Sequence, residues 1–166
     1  ETMQTTTMRA NITAYSTAGH GGVSVTPKAA AERLSDAAVA KGMKWGNKFW
    51  YEEDVDVAIL VLELPDVFPD ASQRDALMVL SDYRPEYLLA TGRTPDPSRY
   101  AHWQERQEED RLRRARSPDL VTAAQSVGPG VIKVWTADGA QHLVTEASYS
   151  DRAAHRMRLS RMEVVR

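Results

Sequence analysis

The chain has 166 residues, 42% hydrophobic and 27% charged, enough for a buried core beneath an ordinary charged surface. A net charge of −2 argues against a generic polyanion binder, and the absence of cysteine excludes disulfides, thiolate zinc sites and cysteine nucleophiles. The longest apolar run, residues 57–62, is far too short for a membrane span, and residues 1–7 lack the basic and apolar regions of a signal peptide.

Taken in order, residues 1–7 are expected to lack structure, with order beginning near Met8. The non-Met start is compatible with processing. Residues 10–15 carry the β-branched and aromatic bias of a strand, and Val23-Ser24-Val25 alternates like a second. Together they predict a hairpin with His20 at its tip. Thr26-Pro27 supplies a capping hydroxyl and a first-turn proline, which predicts a helix to about Ala40, stopped by Gly42. Ala30, Leu34 and Ala38 are its expected core face. Residues 41–48 hold two glycines, three lysines and Trp45 and read as a mobile surface loop.

Residues 52–64 open with acids and become apolar nearly all round, which predicts a buried helix ended by Pro65. A buried strand over residues 57–62 is the competing reading. Another helix is expected from Pro69-Asp70, with Asp70 and Gln73 as a capping box and Ala76, Leu77, Leu80 and Tyr83 facing the core. Tyr87-Leu88-Leu89 is a short apolar anchor, and the prolines of residues 91–98 mark a boundary. Residues 98–116 read as a surface helix with acids in its middle, arginines at its end and few apolar residues. Residues 119–125 are expected to add a helical turn. Asp138-Gly139 lies between two apolar runs, 131–135 and 141–145, and is the strongest hairpin signal in the chain. Residues 149–156 suit a polar helix, and residues 158–165 a closing strand.

The predicted class is therefore α+β: an N-terminal hairpin packed by three helices, a long charged helix, and a C-terminal hairpin with a closing strand. The expected regions are an α+β domain over 8–92, a connecting helix over 96–117 and a β-rich region over 118–166.

Two stretches carry the chemistry. Gly19-His20-Gly21-Gly22 is a flexible loop with one imidazole; Trp50-Tyr51-Glu52-Glu53-Asp54 joins two aromatics to three acids. An imidazole beside a carboxylate is a unit of acid–base work, so His20 with Glu52, Glu53 or Asp54 is the candidate catalytic set. One histidine and two carboxylates also suit Mg²⁺ or Mn²⁺. A plain turn and a helix start account for the same residues. No Walker, Rossmann, nucleophile-elbow or zincin motif is present, so neither a metal nor a cofactor is expected, and the balance leans away from an enzyme. His102, His142 and His155 are isolated and read as surface residues. Gly19, Gly21, Gly22, Trp45, Trp50 and Tyr51 are candidate binding residues. Lys41, Lys44 and Lys48, interleaved with Trp45, Phe49 and Trp50, also suit a phosphate backbone and a stacked base. On the charged helix and tail the binding candidates are Trp103, Arg111, Arg114, Arg156, Arg158 and Arg161, with Arg152 and Arg166 adding to the basic tail.

The run from Ala14 to Pro27 with its Gly-His-Gly-Gly loop, followed by Trp-Tyr-Glu-Glu-Asp at 50–54 and Phe68-Pro69, resembles a domain of unknown function in proteins of proteobacterial phages and mobile elements. The resemblance covers about residues 10–90. Two departures stand out: Val55-Asp56-Val57 replaces a frequent Cys-Asp-Trp, and Pro85-Glu86-Tyr87 lacks one intervening residue. The resemblance implies a mobile-element setting in a bacterial host cytoplasm and contact between the two motifs. The expected function is binding, most readily inhibition of a host defence or nucleic-acid-handling complex. The alternatives are a small enzyme built on His20 and a nucleic-acid-binding protein. A host protein or nucleoprotein complex is the expected partner, a membrane is not, and a homodimer is compatible with four tryptophans and a thinly apolar helix.

Overall fold

Alternation of apolar with hydroxylated or aromatic residues builds the first sheet. The computed structural model describes residues 3–152 and 156–165. His155 and Arg166 lie outside them. The chain is α+β and divides after Trp103 into two units.

In the first unit, strands β1 (Gln4–Arg9), β2 (Ile12–Ser16), β3 (Gly21–Val25), β4 (Met43–Trp45) and β5 (Lys48–Glu52) form a five-stranded antiparallel sheet in the order β1-β2-β3-β5-β4. The β2–β3 hairpin matches the sequence reading. Residues 4–7 do not: the threonines of β1 pair in register with β2, from Gln4 against Ser16 to Thr7 against Thr13, as β-branched residues favour, while residues 1 and 2 lie outside the described ones. Residues 41–48 are not a loop either. Gly46, at φ +60°, takes the first central position of a two-residue turn, and Trp45 pairs with Lys48 across it.

Five helices cover one sheet face. Thr26 caps α1 (Pro27–Arg33) by accepting from the Ala29 N–H at 3.3 Å. The helix expected to reach Ala40 breaks at Leu34, because Ser35 caps a new one, α2 (Asp36–Lys41), closed at Gly42. Glu63 fixes this break: its carboxylate accepts from the Ser35 N–H at 2.7 Å, the Ser35 hydroxyl at 2.6 Å and the Tyr87 hydroxyl at 2.8 Å. Glu63 ends α3 (Val57–Glu63), which starts later than expected. Glu52 closes β5 and residues 53–56 turn, so the acids precede the helix rather than fill its first turn. The cap of α4 (Gln73–Tyr83) is Ser72, not Asp70. Gln73 instead donates its amide to the Val61 carbonyl at 2.6 Å. Helix α5 (Pro85–Ala90) buries Tyr87 and Leu88. Ile12, Val23, Val25 and Tyr51 from the sheet meet Ile59, Leu60, Leu64, Leu80 and Leu88 from the helices in one core.

Helix α6 (Pro97–Arg114) buries no residue, as its thin apolar content predicts. Its first turn is held in the first unit by the Asp96 N–H, which donates to Ser81 Oγ at 2.9 Å, and by an Arg99–Asp82 ion pair. The chain enters the second unit within this helix.

In the second unit, β6 (Val121–Gly128), β7 (Val131–Thr136) and β8 (Gln141–Thr145) form a meander over Val121, Ile132, Val134, Val144 and Met162. Strand β6 replaces the expected helical turn: pairing with β7 overrides the helix preference of Ala123 and Ala124. Asp138 builds the β7–β8 turn, accepting from Thr136 Oγ1 at 2.6 Å and the Ala140 N–H at 3.1 Å, with Gly139 at φ +91°. Helix α7 (Glu146–Ser150) starts earlier than expected, and residues 153–155 of the expected helix lie outside the described ones. The expected closing strand is a 3-10 turn at Leu159–Arg161 with isolated bridges from Arg158 to Leu120 and from Val164 to Val144.

Candidate functional site

The two motifs meet as neighbouring strands. Gly22 pairs with Glu52, Val23 with Tyr51 and Ser24 with Trp50, and the Glu53 N–H donates to the Gly21 carbonyl at 3.2 Å. Strand alternation then sorts the side chains. Tyr51 points into the core, where burial, followed by the charges of Glu63 and Asp56, raises its pKa, and its hydroxyl donates to the Ala38 carbonyl at 3.0 Å. Trp50 points the other way.

The two glycines leave room for large side chains, Gly22 on that opposite face and Gly21, by strand alternation, on the face of Val23 and Tyr51. A β-carbon at Gly22 would stand 2.5 Å from Trp50 Cζ2 and 2.5 Å from the Tyr51 carbonyl oxygen, so the indole lies directly over Gly22. A β-carbon at Gly21 would meet the Glu53 carboxyl carbon at 2.7 Å. Gly19 has open space around it and is exposed.

Trp50 reaches two more rings. Its centroid is 5.6 Å from Tyr15 and 5.4 Å from Trp45, and Tyr15 and Trp45 are 5.9 Å apart. The Trp45 ring stands nearly perpendicular to both neighbours, at 78° and 77°, an edge-to-face arrangement typical of favourable aromatic pairs. Met43 pairs with Trp50 and edges a groove of about 190 Å³ with Trp45 and Trp50. Trp45 is 52% and Met43 61% exposed, and neither joins the helix-packed core. Lys48 Nζ donates to the Tyr15 hydroxyl at 3.4 Å. A hydrogen bond with Ser24, then the nearby Lys48, holds the Tyr15 phenol below its usual pKa.

The imidazole of His20 is not drawn into this cluster. The residue is exposed, and its hydrogen bonds run through its backbone: its N–H donates to Thr17 Oγ1 at 3.1 Å and its carbonyl accepts from the same hydroxyl at 2.8 Å. Among the described residues its ring enters no hydrogen bond and no ion pair. Glu53 and Asp54 are exposed in the turn. Burial, then Asp54, pushes the Glu52 carboxyl above the usual range. No group of three or more His, Cys, Asp or Glu among the described residues is placed to hold a metal ion.

Several of the basic candidates have partners. Lys41 pairs with Glu86 at 2.6 Å. In the second unit Arg111 and Arg158 pair with Glu108, Arg156 with Glu105, and Arg152 lies over the Tyr149 ring. Arg114 and Arg161 are exposed. Trp103 stacks on Tyr100 at 6.0 Å. His142 is half-buried rather than on the surface, and its Nε2 has no hydrogen-bond partner. The second unit also has an open apolar cleft lined by Pro118, Leu159 and Met162; its carboxylate, Asp119, already accepts from the Ser160 N–H at 2.6 Å.

Sequence reasoning selected Trp45 and Trp50 but missed Tyr15 and Met43. The available signal was a period of two: Lys48 and Trp50 share a sheet face, and Tyr15 reaches them once β2, β3 and β5 are ordered.

A family model for a domain of unknown function, DUF7007, matches residues 1–115. The chain belongs to this family. The DUF7007 match takes in β1 and α6 as well as the motif-bearing strands, a longer span than the motifs alone indicated. No curated protein and no solved structure matches the chain.

Proposed function

We propose that this chain is a binding protein whose recognition surface is the open face of the five-stranded sheet, centred on Tyr15, Trp45 and Trp50. The carrying observation is the exposed aromatic cluster itself, with Trp45 and Met43 more than half exposed beside a groove. Large aromatics in water at the centre of a patch are the usual anchors of a protein interface. The groove, about 190 Å³, is smaller than the roughly 300–1,000 Å³ of small-molecule sites, which favours a chain laid across the face.

The mobile-element setting implied by the motifs makes a host protein or nucleoprotein complex the target and occupation of its surface the mode of inhibition. Catalysis by His20 receives no support from the geometry of its ring. Direct nucleic-acid binding is disfavoured because Arg111, Arg156 and Arg158 are already engaged with acids.

The test is capture from a bacterial host lysate by the immobilised chain, with quantitative mass spectrometry. The reading expects a captured species that is lost with Trp45→Ser and kept with His20→Ala. A species retained by Trp45→Ser and lost with His20→Ala would overturn it.

A further inference from the structure

We infer that the occupant of this face is a proline-rich segment bearing a basic residue, bound in the polyproline II conformation; the inference rests on the sheet-face reading above. Three observations point to it. The first is ring geometry. Interplanar angles of 57° to 78° among Tyr15, Trp45 and Trp50 make a ridged surface with a slot, not a set of parallel platforms. Aromatic-lined grooves of this kind receive pyrrolidine rings, and a polyproline helix is already ordered before it binds.

The second is hydrogen-bond polarity. Among the described residues, neither the Trp45 nor the Trp50 indole N–H has a partner within the chain. The face therefore offers donors. A proline-rich segment is the complementary ligand, because it has carbonyl acceptors and few N–H groups of its own.

The third is charge. Glu52 lies on the same face as Trp50, and Glu53 and Asp54 follow it. No ion pair engages any of the three among the described residues. The first unit, residues 1–103, carries 14 acidic and 10 basic side chains. Lys48 shares this face and sits at Tyr15, so the acids rim the slot at its Glu52 end, and that end attracts an arginine or lysine in the ligand.

The test is titration of the isotopically labelled full chain, read at the tryptophan indole N–H signals by NMR. The probes are an oligoproline with an arginine at each end, the same peptide with glutamates at its ends, a glycine–serine peptide with arginine ends, and oligo-dT. The inference expects saturable shifts of Trp45 and Trp50 with the arginine-ended oligoproline, weaker ones with the glutamate-ended form, and none with the other two. Glu52→Gln with Asp54→Asn should weaken the first probe by about two- to fivefold, the size of an exposed ion pair. These variants leave the aromatic cluster intact. Shifts from oligo-dT with none from oligoproline would overturn the inference and leave the sheet-face reading standing. Silence of both signals at millimolar oligoproline would also overturn it. The sheet-face reading fails separately, by the insensitivity of lysate capture to Trp45.

Discussion

The indole of Trp50 lies across Gly22, with Cζ2 2.5 Å from where a β-carbon at that position would be. One pair of residues thus links the two sequence motifs and creates the aromatic face. The glycine is required by a neighbouring strand's side chain, not by a tight turn.

Gly22→Ala should therefore destabilise the first unit by about 1–3 kcal/mol, the usual range for overpacking. The clash includes the Tyr51 backbone oxygen, which cannot swing aside. Gly19→Ala, with open space around it, should leave the urea midpoint nearly unchanged. Equal effects of the two substitutions would contradict the arrangement.

Glu63 joins α2 to α5 through three accepted hydrogen bonds. Glu63→Ala strands the Ser35 N–H, the Ser35 hydroxyl and the Tyr87 hydroxyl. A loss of roughly 1.5–3 kcal/mol is expected, as for a charge-assisted hydrogen bond. Chemical denaturation measures it, and an unchanged midpoint would show that water replaces the carboxylate at no cost.

Alkaline pH separates the tyrosines. Burial raises the pKa of Tyr51 and of Tyr87, and Glu63 adds to both shifts. Folding thus favours their protonated forms. That stabilisation is complete below the unfolded value of about 10 and is lost as pH rises through the folded values. Tyr15 is shifted down, so it ionises before Tyr51 and Tyr87. Tyrosinate absorbance should lose amplitude ahead of the last phase in Tyr15→Phe, while the last phase, from Tyr51 and Tyr87, coincides with loss of far-ultraviolet circular dichroism. A single reversible transition for all six tyrosines would contradict this order.

Much of the helical layer was legible because its signals are local. Thr26-Pro27 caps α1, Gly42 closes α2, and Asp138-Gly139 turns β7 into β8. What escaped depends on partners distant in sequence. The threonines of β1 look disordered until β2 pairs with them, and Ala123 and Ala124 look helical until β7 does. The acids at 52–54 resemble a helix start because the strand before them is short. The site was legible in part for the same reason: Trp45 and Trp50 belong to one tight hairpin, five residues apart, whereas Tyr15 joins them only across β3. His20 drew attention as a rare residue type between glycines, yet the loop uses its backbone and not its ring.

The most direct test of recognition through the aromatic face is the affinity of the captured partner, by calorimetry, for the wild-type chain, Trp45→Ala and His20→Ala. Trp45→Ala should weaken binding about 30-fold, the loss of roughly 2 kcal/mol that a central aromatic anchor carries, with His20→Ala unchanged. Full affinity in Trp45→Ala together with loss in His20→Ala would contradict the account and move the site to the glycine loop.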